Sequence, residues 1–64
     1  MAQHTAREVL KLLHKNGFYE IRIVGDHHRL KDGQGHFTTI AYSHLTDNIP
    51  PKTYNSILKQ AGLK

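Results

Sequence analysis

The chain has 64 residues and a formal net charge of +4. At this length we expect one domain, residues 1–64, with little room for a deep pocket. The lack of a deep pocket disfavours large apolar substrates and favours a surface that binds a polymer. The chain has no cysteine, which excludes disulfides and thiolate zinc sites and fits a cytoplasmic protein. Its short apolar runs predict no membrane span. The positive charge favours nucleic acid or an acidic protein as partner.

The first predicted element is a helix over residues 5–16. Thr5 and Glu8 have the three-residue spacing of a capping box, in which the threonine hydroxyl accepts a hydrogen bond from the glutamate amide. Gly17 follows Asn16 and is typical of the residue that ends a helix. Apolar residues recur between these signals at intervals of three and four, which predicts one buried stripe: Ala6, Val9, Leu10, Leu12 and Leu13.

Three strands are predicted after this helix. Residues 18–24 alternate apolar and charged side chains and are rich in β-branched and aromatic residues, as strands are. Residues 25–26 indicate a tight turn or bulge before a second strand at 27–31. A turn with two glycines at 32–35 then leads to a third strand at 36–42, whose pattern leaves open which alternate set is buried.

A polar loop ending in Pro50 and Pro51 precedes the last predicted helix, at about 52–61. The element order therefore predicts an α+β fold of the α-β-β-β-α type: a three-stranded antiparallel sheet with both helices on one face. The other sheet face is then open to partners. This order matches the double-stranded-RNA-binding fold, although order alone does not establish RNA binding.

The most informative segment for function is the second strand, where two adjacent histidines precede two alternating cations. Alternate side chains of a strand point to opposite faces, so His27, Arg29 and Lys31 share one face, and His28 and Leu30 the other. An imidazole beside two cations is suited to binding a phosphodiester and moving protons on it. His27 is therefore a candidate general acid or base, and Arg29 and Lys31 are candidate phosphate ligands; ordinary exposed strand residues are the alternative.

Further candidate RNA contacts are His28, His44, Lys52 and Lys59. His28 is also explained as a partly buried structural histidine, and His44, in the loop after the third strand, is also a candidate acid. The two lysines are seven residues apart on one side of the last helix, where they would follow an RNA backbone or simply keep the helix solvated. Adjacent histidines point apart in a strand and no other histidine pair has metal-ligand spacing, so no metal site is predicted.

Three segments occur in the order in which one known family has them: LKLL at 10–13 with NGF at 16–18, GDHH at 25–28, and PKT at 51–53 with SILKQAGL at 56–63. Together they resemble the HicA toxins, small ribonucleases of bacterial and phage toxin–antitoxin pairs. The resemblance implies an mRNA-cleaving toxin in which His27 is the catalytic histidine, inhibited by a HicB antitoxin that covers the active face.

The chain departs from the usual family pattern at two places. The family usually has Gly-Ser-His at the start of the second strand, where this chain has Asp26 before His27. The family also tends to have a proline and then a histidine after the third strand; Ala41 occupies the expected proline position, and His44 is the candidate for that histidine.

The leading hypothesis is a metal-independent endoribonuclease that needs no cofactor. A non-catalytic RNA-binding module and a small basic protein-interaction domain are the alternatives.

Overall fold

The structure, a computed structural model, describes residues 4–64. Within that range the elements are β1 His4–Thr5, α1 Ala6–Lys15, β2 Tyr19–Val24, β3 His27–Lys31, β4 Phe37–Ala41, β5 Asn48–Ile49 and α2 Pro51–Gln60. The predicted α+β class and the order of the two helices and three main strands are confirmed. The short strands β1 and β5 were not predicted, and they form a separate antiparallel pair. Neither described helix is long and apolar enough to cross a lipid bilayer.

Helix α1 begins and ends at the residues that its sequence signals indicate. The Thr5 hydroxyl accepts a hydrogen bond from the Glu8 amide at 3.3 Å, as in a capping box. At the other end, the amide of Gly17 donates to the His14 carbonyl and the amide of Phe18 donates to the Leu13 carbonyl, at 3.0 and 2.9 Å. This pair of bonds is the Schellman motif, which requires the left-handed φ of 86° that Gly17 adopts.

The three main strands form an antiparallel sheet in the order β2-β3-β4. The turn between β2 and β3 contains two residues, because Val24 pairs with His27 across it. Its first residue, Gly25, has a φ of 61°, as the first central position of a type II′ turn requires. The amide of Tyr42 donates to the carbonyl of Asp26 at 2.9 Å, so this turn is tied to the end of β4.

Both helices cover the same face of the sheet. Leu30 of β3 and Thr38 and Ile40 of β4 are buried on that face, which settles the choice that the sequence left open for the third strand. The Thr38 hydroxyl donates to the Ile57 carbonyl of α2 at 3.1 Å, so its polar atom is satisfied inside the core. The core cluster joins these strands to both helices: Ala6, Val9, Leu13, Phe18, Leu30, Ile40, Ile49, Ile57 and Ala61.

The turn between β3 and β4 is organised by the largely buried carboxylate of Asp32. It accepts hydrogen bonds from the amides of Gln34 and His36, at 2.9 and 2.8 Å, and lies 2.8 Å from the His36 ring. Burial by itself raises the pKa of this carboxyl, but the bonds from His36 and Gln34 together outweigh it, so the pKa of Asp32 lies below its ordinary value. Asp32 and His36 also line a depression of about 500 Å³ beside the turn. Their side chains bond to each other, so both are engaged in holding the turn.

We expect Asp32→Asn to destabilise the protein at neutral pH and to matter less in acid. A carboxyl whose folded pKa is depressed stabilises the fold above its unfolded pKa, about 3.9, and that contribution is lost as the pH falls through the folded pKa. The urea midpoint of the variant should therefore lie below that of the unaltered chain at neutral pH, and the gap should narrow below about pH 4. Gln34→Ala is the control, because its main-chain amide still donates. A gap that does not change with pH would contradict this account.

Candidate functional site

The face of the sheet opposite the helices, called here the open face, is defined by the strand register. Its side chains form three cross-strand rows, because residues paired across an antiparallel sheet point to the same side. The rows are Val24, His27 and Ala41; Arg22, Arg29 and Thr39; and Tyr19, Lys31 and Phe37. All of them are exposed except Lys31, which is half-buried. The open face therefore combines one imidazole, three cations and two aromatic rings.

Five of the six residues in the first two rows, all but Ala41, line a shallow depression of about 220 Å³ on the open face. The residues around it are Arg22, Val24, His27, Arg29 and Thr39. The side chain of His27 is 65% exposed there, so its ring is accessible to a bulky solute. The alternation predicted for the second strand thus places His27 and Arg29 together at one accessible site.

Asp26 is the nearest ionisable neighbour of His27. One of its carboxylate oxygens, Oδ1, lies 3.0 Å from Nδ1 of the His27 ring. A carboxylate at Nδ1 favours the proton on that nitrogen and leaves Nε2 as the nitrogen with a free lone pair. The turn thus places a carboxylate beside Nδ1, which leaves Nε2 as the nitrogen that can accept a proton.

Arg22 is a site residue that the sequence interpretation did not single out. It pairs with Arg29 across β2 and β3 and lines the same depression. A β-bulge between Glu20 and Arg22 shifts the register, so these two residues point to opposite faces although strict alternation would put them on one. The two-residue turn at Gly25 is the signal that could have found Arg22, since it fixes the pairing of the residues that precede it.

Comparison with known families bears directly on this face. The model of the HicA toxin of bacterial toxin–antitoxin systems matches residues 6–63. The chain belongs to the HicA toxin family. Membership gives it the role of toxin and the pairing with an antitoxin. Comparison with curated proteins and with solved structures found no match.

The second histidine of this HicA-family chain lies on the other face of the sheet. The side chain of His28 is only 14% exposed and its Nδ1 is 3.0 Å from Glu20 Oε1. Its ring stacks on that of Tyr42, with centroids 3.9 Å apart. Burial, and then the charge of Glu20, raise the pKa of the Tyr42 hydroxyl. The structure therefore does not bring His28 to the open face, and its contacts fit the structural interpretation.

Lys31 shares the open face but not the depression. It pairs with Tyr19 and Phe37 in the third row, two residues beyond Arg29, and it does not line the pocket. The Arg29 guanidinium lies over the Phe37 ring at 5.2 Å from its centroid, which gives it a second contact besides the pocket. Of the two cations predicted beside the toxin's His27, the structure places Arg29 at the depression and Lys31 outside it.

His44 lies in the loop after β4, at the end of the sheet where His27 pairs with Ala41. Its ring is exposed, and Nδ1 is 3.9 Å from Asp47 Oδ1. The Asp47 carboxylate accepts hydrogen bonds from the amides of His44 and Ser43, which hold the pKa of Asp47 below its ordinary value. His44 is thus carried by an ordered loop near the His27 end of the sheet, although it does not line the depression.

The two lysines of the last helix are not part of the open face of the toxin. Lys52 and Lys59 are exposed on α2 and line a separate depression together with Lys64. Helix α2 packs on the buried side of the sheet, where Thr38 bonds to it. The structure therefore separates these lysines from His27 by the sheet itself.

The acidic residues of the toxin are all engaged by histidines. Each of the five carboxylates lies within ion-pair distance of a different ring: His4–Glu8, His27–Asp26, His28–Glu20, His36–Asp32 and His44–Asp47. Across residues 4–64, no lysine or arginine has a carboxylate at that distance. Within the same residues, no three of the histidine and acidic side chains are grouped closely enough to hold a metal ion. The cations of the open face are therefore left with their charge uncompensated.

Proposed function

We propose that this HicA-family toxin is an endoribonuclease that cleaves mRNA, in the cytoplasm where mRNA is found, with His27 as its general acid or base. The observation on which the proposal depends is the exposed His27 ring beside uncompensated arginines in one depression of the open face. An imidazole titrates near neutrality and is suited to proton transfer, and guanidinium groups bind phosphate oxygens in a bidentate manner. A shallow site also suits a polymer substrate better than a small molecule.

The proposed reaction uses the substrate's own 2′-hydroxyl as the nucleophile. Nε2 of His27 takes the proton of that hydroxyl while the oxygen attacks the adjacent phosphorus, and the bond to the 5′-oxygen breaks. The guanidinium of Arg29 stabilises the negative charge that accumulates on the phosphorane oxygens. His44 is the candidate acid that gives the departing 5′-oxygen its proton. The products are a 2′,3′-cyclic phosphate and a 5′-hydroxyl, and no metal ion is required.

Asp26 acts in this proposal through His27 rather than on the RNA. Its carboxylate is 3.0 Å from Nδ1, so it favours the form of the ring in which Nε2 can accept a proton. The hydrogen bond from Tyr42 to the Asp26 carbonyl fixes the turn from which the carboxylate projects. A serine, which is usual at this position in the family, has no charge and would orient the ring more weakly.

The antitoxin partner is proposed to be of the HicB type and to inhibit by covering the open face. This face offers exposed apolar side chains next to its cations, including Tyr19, Val24 and Phe37. Exposed aromatic side chains and arginines are enriched at protein interfaces. The same aromatic rings would stack on the bases of single-stranded RNA. Antitoxin and RNA would therefore compete for one surface.

The decisive experiment is to incubate the purified chain with a defined mRNA in EDTA and to determine the chemistry of the new ends. We expect cleavage that persists in EDTA and leaves 2′,3′-cyclic phosphate and 5′-hydroxyl ends. An otherwise identical RNA with a 2′-deoxy nucleotide at each mapped cleavage position should resist cleavage there. Binding of the RNA without cleavage would favour the non-catalytic module instead, and no binding at low salt would favour a protein-interaction domain.

A further inference from the structure

The two arginines of the depression are an unfavourable pair in the ligand-free protein. Arg22 and Arg29 are directly opposite each other in the register of β2 and β3, on one face of the sheet. Like charges directly opposite one another destabilise a sheet. Within residues 4–64, neither guanidinium has a carboxylate at ion-pair distance, so the repulsion is not neutralised inside the chain. A bound anion that is not part of the chain would neutralise this repulsion.

We propose that Arg22 and Arg29 together form a clamp for one phosphodiester group of RNA. Arg22 is then a second phosphate ligand of this site, beside Arg29. Both line the depression that also contains His27 and Thr39. One anion placed between two guanidinium groups would accept hydrogen bonds from both and would remove their mutual repulsion. This inference depends on the proposed function, because it takes the bound anion to be the phosphate that His27 acts on.

If the two arginines hold the phosphate on which His27 acts, Lys31 is not the second ligand of that phosphate. The pair formed by Arg22 and Arg29 is one row closer to His27 than Lys31, whose row contains Tyr19 and Phe37. A phosphate held by the two arginines lies beside the imidazole, whereas one held by Arg29 and Lys31 would be displaced along β3. Adjacent rows are two residues of β3 apart, about 6.8 Å, so a phosphate centred between Arg29 and Lys31 would lie about 3.4 Å farther from His27 along the strand.

The test measures RNA binding without cleavage. A single-stranded oligonucleotide with 2′-O-methyl groups keeps its phosphates and has no 2′-hydroxyl to attack. Arg22→Gln should weaken its binding about tenfold at moderate salt and should lower the slope of log K against log salt by about 0.7, the value for one phosphate contact on a single strand. Arg7→Gln is the matched control, since Arg7 is exposed on α1 and its removal changes the net charge equally. We expect the control to bind nearly as well as the unaltered chain.

A second measurement separates loss of the clamp from loss of folding. Without added anion, the thermal midpoint of Arg22→Gln should be no lower than that of the unaltered chain, because the substitution removes a like-charge pair. Inorganic phosphate, compared with chloride at equal ionic strength, should raise the midpoint of the unaltered chain more than that of the variant. An equal rise in both proteins would overturn the clamp.

Failure of the clamp and failure of the nuclease proposal give different results. If Arg22→Gln binds the oligonucleotide as tightly as Arg7→Gln while the unaltered chain cleaves RNA, the clamp is wrong and the nuclease proposal stands. If Arg22→Gln loses binding and the unaltered chain cleaves no RNA, the clamp stands as a phosphate-binding site and the nuclease proposal is wrong.

Discussion

Replacing His27 with glutamine is expected to lower the rate of RNA cleavage by about three orders of magnitude, within the range of about 10² to 10⁴ that general acid–base catalysis contributes. Glutamine retains polarity and approximate length but does not titrate, so it cannot take the 2′-hydroxyl proton. The His27 side chain is exposed and does not belong to the core cluster, so the variant should fold normally. Initial rates on a labelled RNA, measured under single-turnover conditions, test this expectation.

His14→Gln is the matched control for this prediction. His14 is exposed on α1, and no carboxylate lies at ion-pair distance from it among residues 4–64. Its removal changes the histidine content equally and should leave the rate unchanged. Binding of the 2′-O-methyl oligonucleotide should survive His27→Gln, because the arginines remain. Cleavage by His27→Gln at the rate of the His14→Gln control would contradict the assignment of His27.

The elements that the sequence predicted are those with local signals at both ends. Helix α1 has the cap formed by Thr5 and Glu8 at its start and Gly17 after its end, and both operate in the structure. The two-residue strands β1 and β5 have no such signals, because two residues cannot display a period. They pair only through contacts between distant parts of the chain, His4 with Ile49 and Thr5 with Asn48.

The site could be predicted as far as one strand determines it. Alternation within β3 is enough to place His27 and Arg29 on one face and His28 with Leu30 on the other. Arg22 belongs to a different strand, so its place beside Arg29 depends on the register between strands, which the sequence interpretation did not use.

The bulge in β2 explains why its sequence pattern misleads. By alternation Glu20 and Arg22 belong to one face, yet the bulge carries Glu20 to the helix-covered side, where it meets His28. The helices do not extend over β2, so all six of its residues are exposed and its apolar side chains do not reveal which face is buried. A bulge of this kind is a property of the paired strands and leaves no periodic signal in one of them.

The charge balance of the chain was also predictable only in part. The composition gives an excess of cations, but it does not show which cations are neutralised internally. The structure shows carboxylates paired with histidines throughout the described residues, which leaves the charge of the lysines and arginines available to an anionic partner. A basic protein with this distribution should bind RNA with a strong dependence on salt.

Leu30→Ala is expected to remove most of the free energy of unfolding at 25 °C. Leu30 is fully buried in β3, the strand that carries His27 and Arg29, and its side chain is on the face that the helices cover. Truncating a buried leucine costs about 2–5 kcal/mol, through lost burial and the cavity left behind. A single core of this size rarely supplies more than about 3–5 kcal/mol in total, so one such cavity removes most of the free energy of unfolding. Urea unfolding followed by far-ultraviolet circular dichroism measures the loss.

Ile23→Ala is the informative control for Leu30→Ala, because both truncate a large aliphatic side chain in adjacent strands of the sheet. Ile23 is 57% exposed, so its truncation should change the free energy of unfolding by no more than about 0.5 kcal/mol. Similar losses in the two variants would mean that the helices cover β2 as well as β3. Ile23 pairs with His28 on the helix side of the sheet, so this comparison tests how far the helices extend over β2 and leaves the open face unaffected.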